Sequence, residues 1–230
     1  MPTSNFFNQL LELIPRNALE MVIEHIPGSR EPLDQPHEWY VLMEFAPAGP
    51  DADARLEAFL EGELQSGALV DGILAQSGGQ REALWRLRHS ISEAEKLGGA
   101  GIKHDVSVPV SSIPAFIEHA SRAALAEMPG GAIVAFGHLG DGNIHFNVQQ
   151  PPDMSREAFL ERWDGVSKVV HTAAHEFGGS FSAEHGVGAM KRAELARLRG
   201  GVEYELMLAL KRSLDPQGLM NPGKLLVAAE

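Results

Sequence analysis

Gly137-His138-Leu139-Gly140-Asp141-Gly142-Asn143-Ile144-His145-Phe146-Asn147 sets two histidines around a turn inside an apolar strand pattern. Asp141-Gly142 is a favoured two-residue hairpin turn of the type whose central positions both need positive φ. On that turn Gly140 faces Asn143, Leu139 faces Ile144 and His138 faces His145. Facing residues have Cβ atoms about 4.5–5.5 Å apart, so two imidazoles on one face can chelate a single divalent ion. Period-two alternation puts Asn147 on the face of His145. A longer turn would shift this register. Strand histidines are commonly satisfied by backbone or water, but a facing pair in apolar surroundings is costly to bury without a partner. On local sequence alone both readings stand.

Outward from the hairpin, Ala132 to His138 and Ile144 to Val148 read as its two strands. Upstream, Phe6 to Met21 reads as a helix, with Phe7, Leu10, Leu11, Leu13 and Ile14 as an apolar stripe that Pro15 interrupts. Trp39 to Glu44 is a strand, Ala46 to Pro50 a loop, Asp53 to Leu64 a helix and Ala68 to Ala75 a short strand. Gln80 to Lys96 is one helix ending at Gly98-Gly99. Lys103 to Val110 is a strand, and Ile113 to Glu127 a helix. Downstream, Ser155 to Phe177 is the longest helix and Ser180 to Glu184 a short extended piece. Helices at Lys191 to Arg197 and Val202 to Ser213 precede a turn-rich end. Alternating helices and strands with one firm hairpin predict an α+β domain, its mainly antiparallel sheet carrying helices on one face. Gly98-Gly99-Ala100-Gly101 follows a helix and precedes a strand, the wrong order for a dinucleotide-binding loop.

The 230 residues, 44% hydrophobic and 22% charged, have the composition of a globular chain with a real core. A net charge of −12 argues against nucleic acid or an anionic membrane surface as the main partner. The chain has no cysteine, which excludes thiolate ligands, disulfides and cysteine nucleophiles, so nitrogen and oxygen must hold any metal. No apolar run approaches a membrane span, and Met1 to Leu13 does not read as a secretory signal, so a cytoplasmic protein is expected.

Glu184-His185 follows the second histidine by 39 residues. Glu184 can add an oxygen to the two imidazoles, giving a His-His-Glu set with an open position. His185, a plausible general base, can reach the same place only if the backbone turns, which Gly186 and Gly188 permit. Arg86 and Arg88 follow Trp85, Ser92 lies one turn after Arg88 on the same helix face, and Lys103 opens the next strand. Arginine with a nearby lysine can hold a carboxylate. Solvated helix charges are the plainer reading of the same residues.

Five stretches occur in one order: Leu84-Trp85-Arg86-Leu87-Arg88, Lys103-His104-Asp105-Val106-Ser107-Val108-Pro109-Val110, the Gly137 to Asn147 run, Glu184-His185-Gly186-Val187-Gly188 with Lys191, and Asn221-Pro222-Gly223-Lys224. Together they resemble the C-terminal domain of FAD-linked oxidases, in the branch of D-2-hydroxyglutarate dehydrogenase, D-lactate dehydrogenase and glycolate oxidase. The resemblance implies a fold with ferredoxin-like elements. It implies His138, His145 and Glu184 as metal ligands, commonly for zinc, and His185 as the base that takes the hydroxyl proton while hydride passes to FAD. Arg88, Ser92, Lys103 and Asn147 match substrate-binding positions, Ser92 standing where threonine is frequent. Asn221 lies where the family's chain returns to the flavin. His89 departs from a usually acidic position.

Residue 1 falls about where the substrate and cap region of such enzymes starts. The expectation is therefore a substrate- and metal-binding part, residues 1–230, without the N-terminal FAD-binding domain and inactive by itself. Its expected partners are a small 2-hydroxy acid and a flavin-binding domain or subunit, with a homodimer left open. Two other classes stay in view: a non-catalytic structural module that keeps the fold, and a stand-alone metal hydrolase using the same ligands.

Overall fold

The computed structural model describes residues 9–45, 49 and 51–226. Its elements run β1 Gln9–Pro15, α1 Arg16–His25, β2 Trp39–Phe45, α2 Ala52–Ser66, α3 Gly78–His89, α4 Ile91–Gly98 and β3 Gly101–Ser107. After a 3-10 turn at Val110–Ser112 come α5 Ile113–Glu127, β4 Ala132–His138, β5 Asn143–Gln149, α6 Arg156–Glu161 and α7 Trp163–Glu176. Finally come α8 Arg192–Leu198 and α9 Val202–Leu214. The strands form a sheet in the order β2-β1-β4-β5-β3. β1 is antiparallel to both β2 and β4. The architecture is α+β, an antiparallel sheet flanked by helices, as the alternation predicts. Two compact units divide the chain: residues up to Gly101 with Val134–Asp141, and Ile102–Ile133 with the remainder from Gly142.

In the first unit the predicted helix over Phe6 to Met21 is instead a strand followed by a helix; Phe7 lies outside the described residues. Leu10, Leu11, Leu13 and Ile14 fit a helical stripe, but β1 is buried on alternate faces, Leu13 on one and Ile14 on the other. A strand covered on both sides reads as a continuous apolar run, which mimics a helix segment over so short a length. Pro15 does not interrupt a helix; it closes β1 opposite Trp39 and caps the start of α1. Ile14, Val134 and Phe136 pack on one sheet face against Ala18, Leu19 and Val22 of α1, Leu87 of α3, and Ile91 and Ala94 of α4.

The helix predicted over Gln80 to Lys96 breaks at Ser90 into α3 and α4, and Ser77 caps the N-terminus of α3 by accepting from the Gln80 amide. The strand predicted at Ala68 to Ala75 does not form. Val70 and Ile73 stay exposed there, without the partner strand that a short apolar run needs. Much of the loop predicted at Ala46 to Pro50 lies outside the described residues.

In the second unit α5 matches its predicted bounds. Pro114 sits in its first turn, and Ile113, Phe116, Ala120 and Ala124 recur at helical spacing on its buried face. α7 packs against α5 and buries Val166, Val170 and Ala174. The long helix predicted over Ser155 to Phe177 is divided at Arg162 into α6 and α7. Ser107 and Ser180 exchange backbone hydrogen bonds of 2.9 and 2.8 Å, laying the segment after α7 along the end of β3. Gly179 makes this possible: a Cβ there would lie 1.8 Å from the Ser107 carbonyl oxygen. Only Ser180 of the predicted extended piece pairs; Phe181 to Glu184 bend away.

Candidate metal centre

Glu12 and His138 are directly opposed across the β1–β4 ladder. Period-two alternation places Glu12 on the face of Ile14 and His138 on the face of Phe136, at the polar end of the first unit's core. Glu12 is 2% exposed. Its Oε1 lies 2.6 Å from His138 Nδ1, and its Oε2 accepts from Arg88 Nε at 2.7 Å. The Arg88 guanidinium also sits 4.9 Å from the centre of the Phe136 ring. One buried carboxylate thus takes a ring N–H on one oxygen and a guanidinium N–H on the other. With Nδ1 turned to Glu12, Nε2 is the nitrogen that His138 can present to an ion.

The turn between β4 and β5 takes four residues, Leu139 to Gly142, rather than two. Asp141 does not adopt positive φ, so the predicted turn type does not form. Gly142 has another task. Its carbonyl accepts from the Val108 amide at 3.0 Å, its φ is +77°, and a Cβ would lie 1.9 Å from the Val108 oxygen.

Asp105 of β3 organises the segment that carries Glu184 and His185. It is 2% exposed, and its Oδ2 accepts from the amides of Glu184 at 2.7 Å and His185 at 2.8 Å. Its own carbonyl accepts from the Ala183 amide at 3.1 Å. These bonds fold residues 183–185 around the Asp105 side chain, and Gly186 and Gly188 continue the bend at φ +68° and +57°. The backbone turns at this point as the two glycines permit, and the His185 side chain stays exposed. Its ring lies 6.4 Å from that of His145, with 26° between the planes. Burial works to raise the Asp105 carboxyl, but the His185 and Glu184 amides, helped by the two nearby imidazoles, hold it below the ordinary carboxylate range.

His138, His145 and Glu184 each offer a ligand atom, and these atoms lie within 4.8 Å of one another. Two imidazoles and a carboxylate suit zinc or another divalent first-row ion, and carboxylates next to the ring nitrogens are the usual support for such ligands. The donor set and its surroundings fit a metal. The neighbouring Lys191 is half-buried and donates to Ser182 Oγ at 3.1 Å; burial lowers its pKa, with Asp105 acting against the shift.

The remaining predicted residues are distributed as follows. Arg88 is 8% exposed and bound to Glu12, whereas Ser92 is exposed on α4; the break at Ser90 removes the shared helix face expected for them. Lys103 is exposed on β3. Asn147 is buried, its Oδ1 accepting from the His104 amide at 3.3 Å. Asn221 is exposed in a turn at φ +48°. His89, at the unusual position, stacks on Trp85 at 5.2 Å, and the Trp85 indole N–H donates to Glu44. Glu12 was not among the expected residues. Its signal was a lone acid inside Leu10-Leu11-Glu12-Leu13-Ile14, hidden by the helical reading that left it on a polar face.

Among the described residues no helix is long and apolar enough to cross a membrane. Residues 9–225 match the profile of the family described as FAD linked oxidases, C-terminal domain. The chain is 39% identical over 217 residues to D-2-hydroxyglutarate dehydrogenase of Xanthomonas citri pv. viticola, covering 94% of this chain and 45% of that protein. It is 37% identical over 197 residues to the D-2-hydroxyglutarate dehydrogenase of Stutzerimonas stutzeri, covering 86% and 42%. To the mitochondrial D-2-hydroxyglutarate dehydrogenase of Arabidopsis thaliana it is 34% identical over 217 residues, covering 94% and 37%. The chain therefore spans less than half the length of these relatives. The fold is also that of 4-ethylphenol oxidase from Gulosibacter chungangensis, with a TM-score of 0.55 at 17% identity, covering 100% of this chain and 55% of that one. With the match running over nearly its whole length, the chain belongs to the C-terminal domain family of the FAD-linked oxidases.

Proposed function

We propose that this chain is the substrate- and metal-binding part of an FAD-dependent D-2-hydroxyacid dehydrogenase, which oxidises a 2-hydroxy acid to the 2-oxo acid. The observation that carries this reading is the convergence of the His138, His145 and Glu184 ligand atoms within 4.8 Å. When bound, a divalent ion, zinc by preference, supplies Lewis acidity toward the 2-hydroxyl, and the flavin of a partner domain accepts the hydride. His185, whose exposed ring lies near Asp105, takes the hydroxyl proton on a ring nitrogen. Lys103, which is exposed, meets a substrate carboxylate, and Asn147 helps to orient the substrate. Asn221 meets the flavin side.

The flavin-binding domain, in the same polypeptide or a partner subunit, also has a surface to cover on α9. There Val202, Leu206, Leu210 and Leu214 recur at every fourth residue and are all exposed. The substrate class follows the relatives, whose names point to D-2-hydroxyglutarate.

The test is an assay of this chain together with its flavin-binding domain, by dye reduction with D-2-hydroxyglutarate, D-lactate and glycolate. One of these acids is expected to be oxidised, with activity lost on chelation and restored by zinc or manganese. Activity on none of them would contradict the substrate class, and activity indifferent to chelation would contradict the metal.

A further inference from the structure

Asp105 has two carboxylate oxygens in unlike circumstances. Oδ2 accepts the Glu184 and His185 amides, which occupy its lone pairs. Oδ1 is buried and has no hydrogen-bond partner. A buried, ionised oxygen left unmatched is costly, and such an orphan in a native protein calls for a donor. The donor nearest to hand is the His145 ring, whose Nδ1 stands 3.8 Å from Oδ1. The His185 Nδ1 is equally far from the carboxylate but faces Oδ2, which is already filled.

We infer that Asp105 is a positioning residue with two simultaneous tasks: Oδ2 ties down the Glu184-His185 backbone, and Oδ1 holds His145 as the Nδ1–H tautomer with Nε2 presented to the metal. The inference rests on the metal reading of His138, His145 and Glu184 and goes beyond it. A single buried carboxylate sets one metal-binding nitrogen, the location of the carboxylate ligand and the location of the base. Glu12 performs the corresponding task for His138 in the first unit, at 2.6 Å. The two imidazoles are thus each oriented by a buried acid from a neighbouring strand, a known means of fixing ring orientation and raising ligand basicity.

Asp105→Asn separates the two tasks. An asparagine oxygen in place of Oδ2 still accepts both amides, but the NH2 group in place of Oδ1 can only donate. It therefore favours the His145 tautomer with the proton on Nε2, the wrong one for binding metal. Asp105→Ala removes both tasks.

The experiment combines 15N NMR of the histidine rings in metal-free protein, amide hydrogen exchange at Glu184 and His185, and zinc titration. In the parent, His145 is expected as the Nδ1–H tautomer with both amides protected. Asp105→Asn is expected to keep the amide protection, invert the His145 tautomer and weaken zinc binding by roughly 10–100-fold. Asp105→Ala is expected to lose the protection as well.

An Nε2–H tautomer for His145 in the metal-free parent overturns the inference, and this readout needs no variant to fold. An asparagine variant with parental tautomer and zinc affinity also overturns it, leaving Asp105 a tether only. If the parent binds no zinc while His145 is still Nδ1–H, the metal reading fails and the orientation by Asp105 stands.

Discussion

Arg88→Ala is expected to lower the stability of the protein by about 3–5 kcal/mol, the usual cost of removing one partner from a buried ion pair. Arg88 and Glu12 are both almost fully enclosed and joined at 2.7 Å, so deleting the guanidinium leaves a buried carboxylate without its cation and with the His138 ring as its partner. The contact with the Phe136 ring is lost as well, adding about 0.5–2 kcal/mol. Arg88→Lys restores charge but not the planar fork, and should recover only part of the loss. The double replacement Arg88→Met with Glu12→Gln should be milder than Arg88→Ala, because no unpaired charge stays behind. Urea denaturation at pH 7.5 measures all three. If Arg88 served only to hold substrate, Arg88→Ala would shift the midpoint by less than about 1 kcal/mol, as an exposed pair does.

Acid should weaken the second unit well above the range where carboxylates titrate. His104 is buried between the Phe146 carbonyl, 2.7 Å from its Nδ1, and Ser167 Oγ, 3.1 Å from its Nε2. Burial lowers its pKa to about 3, and the neighbouring His171 adds to the shift. His171, whose ring is 5.5 Å from that of His104, is likewise lowered by burial to about 4, with Glu194 pulling the other way. Glu194 Oε2 is 3.4 Å from His171 Nδ1, but the alignment is poor and neither ring nitrogen makes a hydrogen bond.

Both folded pKa values lie below the 6.5 of a free histidine. The unfolded chain therefore takes up protons that the folded chain refuses. Stability is complete above about pH 6.5 and is lost as pH falls from there toward 4, by at most about 1.4 kcal/mol per pH unit for each group. Repulsion between the two rings further disfavours charging both in the folded state, so the combined slope can approach twice that figure. Asp105, Glu194, Glu44 and Asp215 all have lowered pKa values, so their losses belong to lower pH. Urea midpoints between pH 7.5 and 5 should decline in the parent and decline less in His171→Phe. A flat profile in the parent would contradict the neutral buried pair.

How far the sequence could be read depended on whether the partner of each side chain is local. β2, α5 and α9 declare themselves through their own periodicity, and their observed bounds stay within two residues of those expected. β1 does not, because burial on both faces erases the alternation that marks a half-exposed strand. The same misreading concealed Glu12, whose importance comes from a cross-strand partner 126 residues away.

His138, His145 and Glu184 were legible as ligand types at suggestive spacing, and the structure brings their ligand atoms together although the turn between the histidines is longer than expected. Asp105 was quoted in a motif but given no task. It shares a strand face with exposed Lys103 and so reads as solvent-facing, whereas the segment after Ser180 folds back over the strand and bonds to it. The break at Ser90 is a third case. No proline or glycine marks it, and tertiary packing turns Arg88 inward while Ser92 stays in solvent.

Titration of zinc into the metal-free protein, followed by elemental analysis, tests the His138, His145 and Glu184 centre most directly. One ion per chain is expected. His138→Ala, His145→Ala and Glu184→Ala should each weaken binding by about 100-fold or more while circular dichroism stays that of the parent. Absence of stoichiometric zinc in the parent, or parental affinity in any of the three variants, would contradict it.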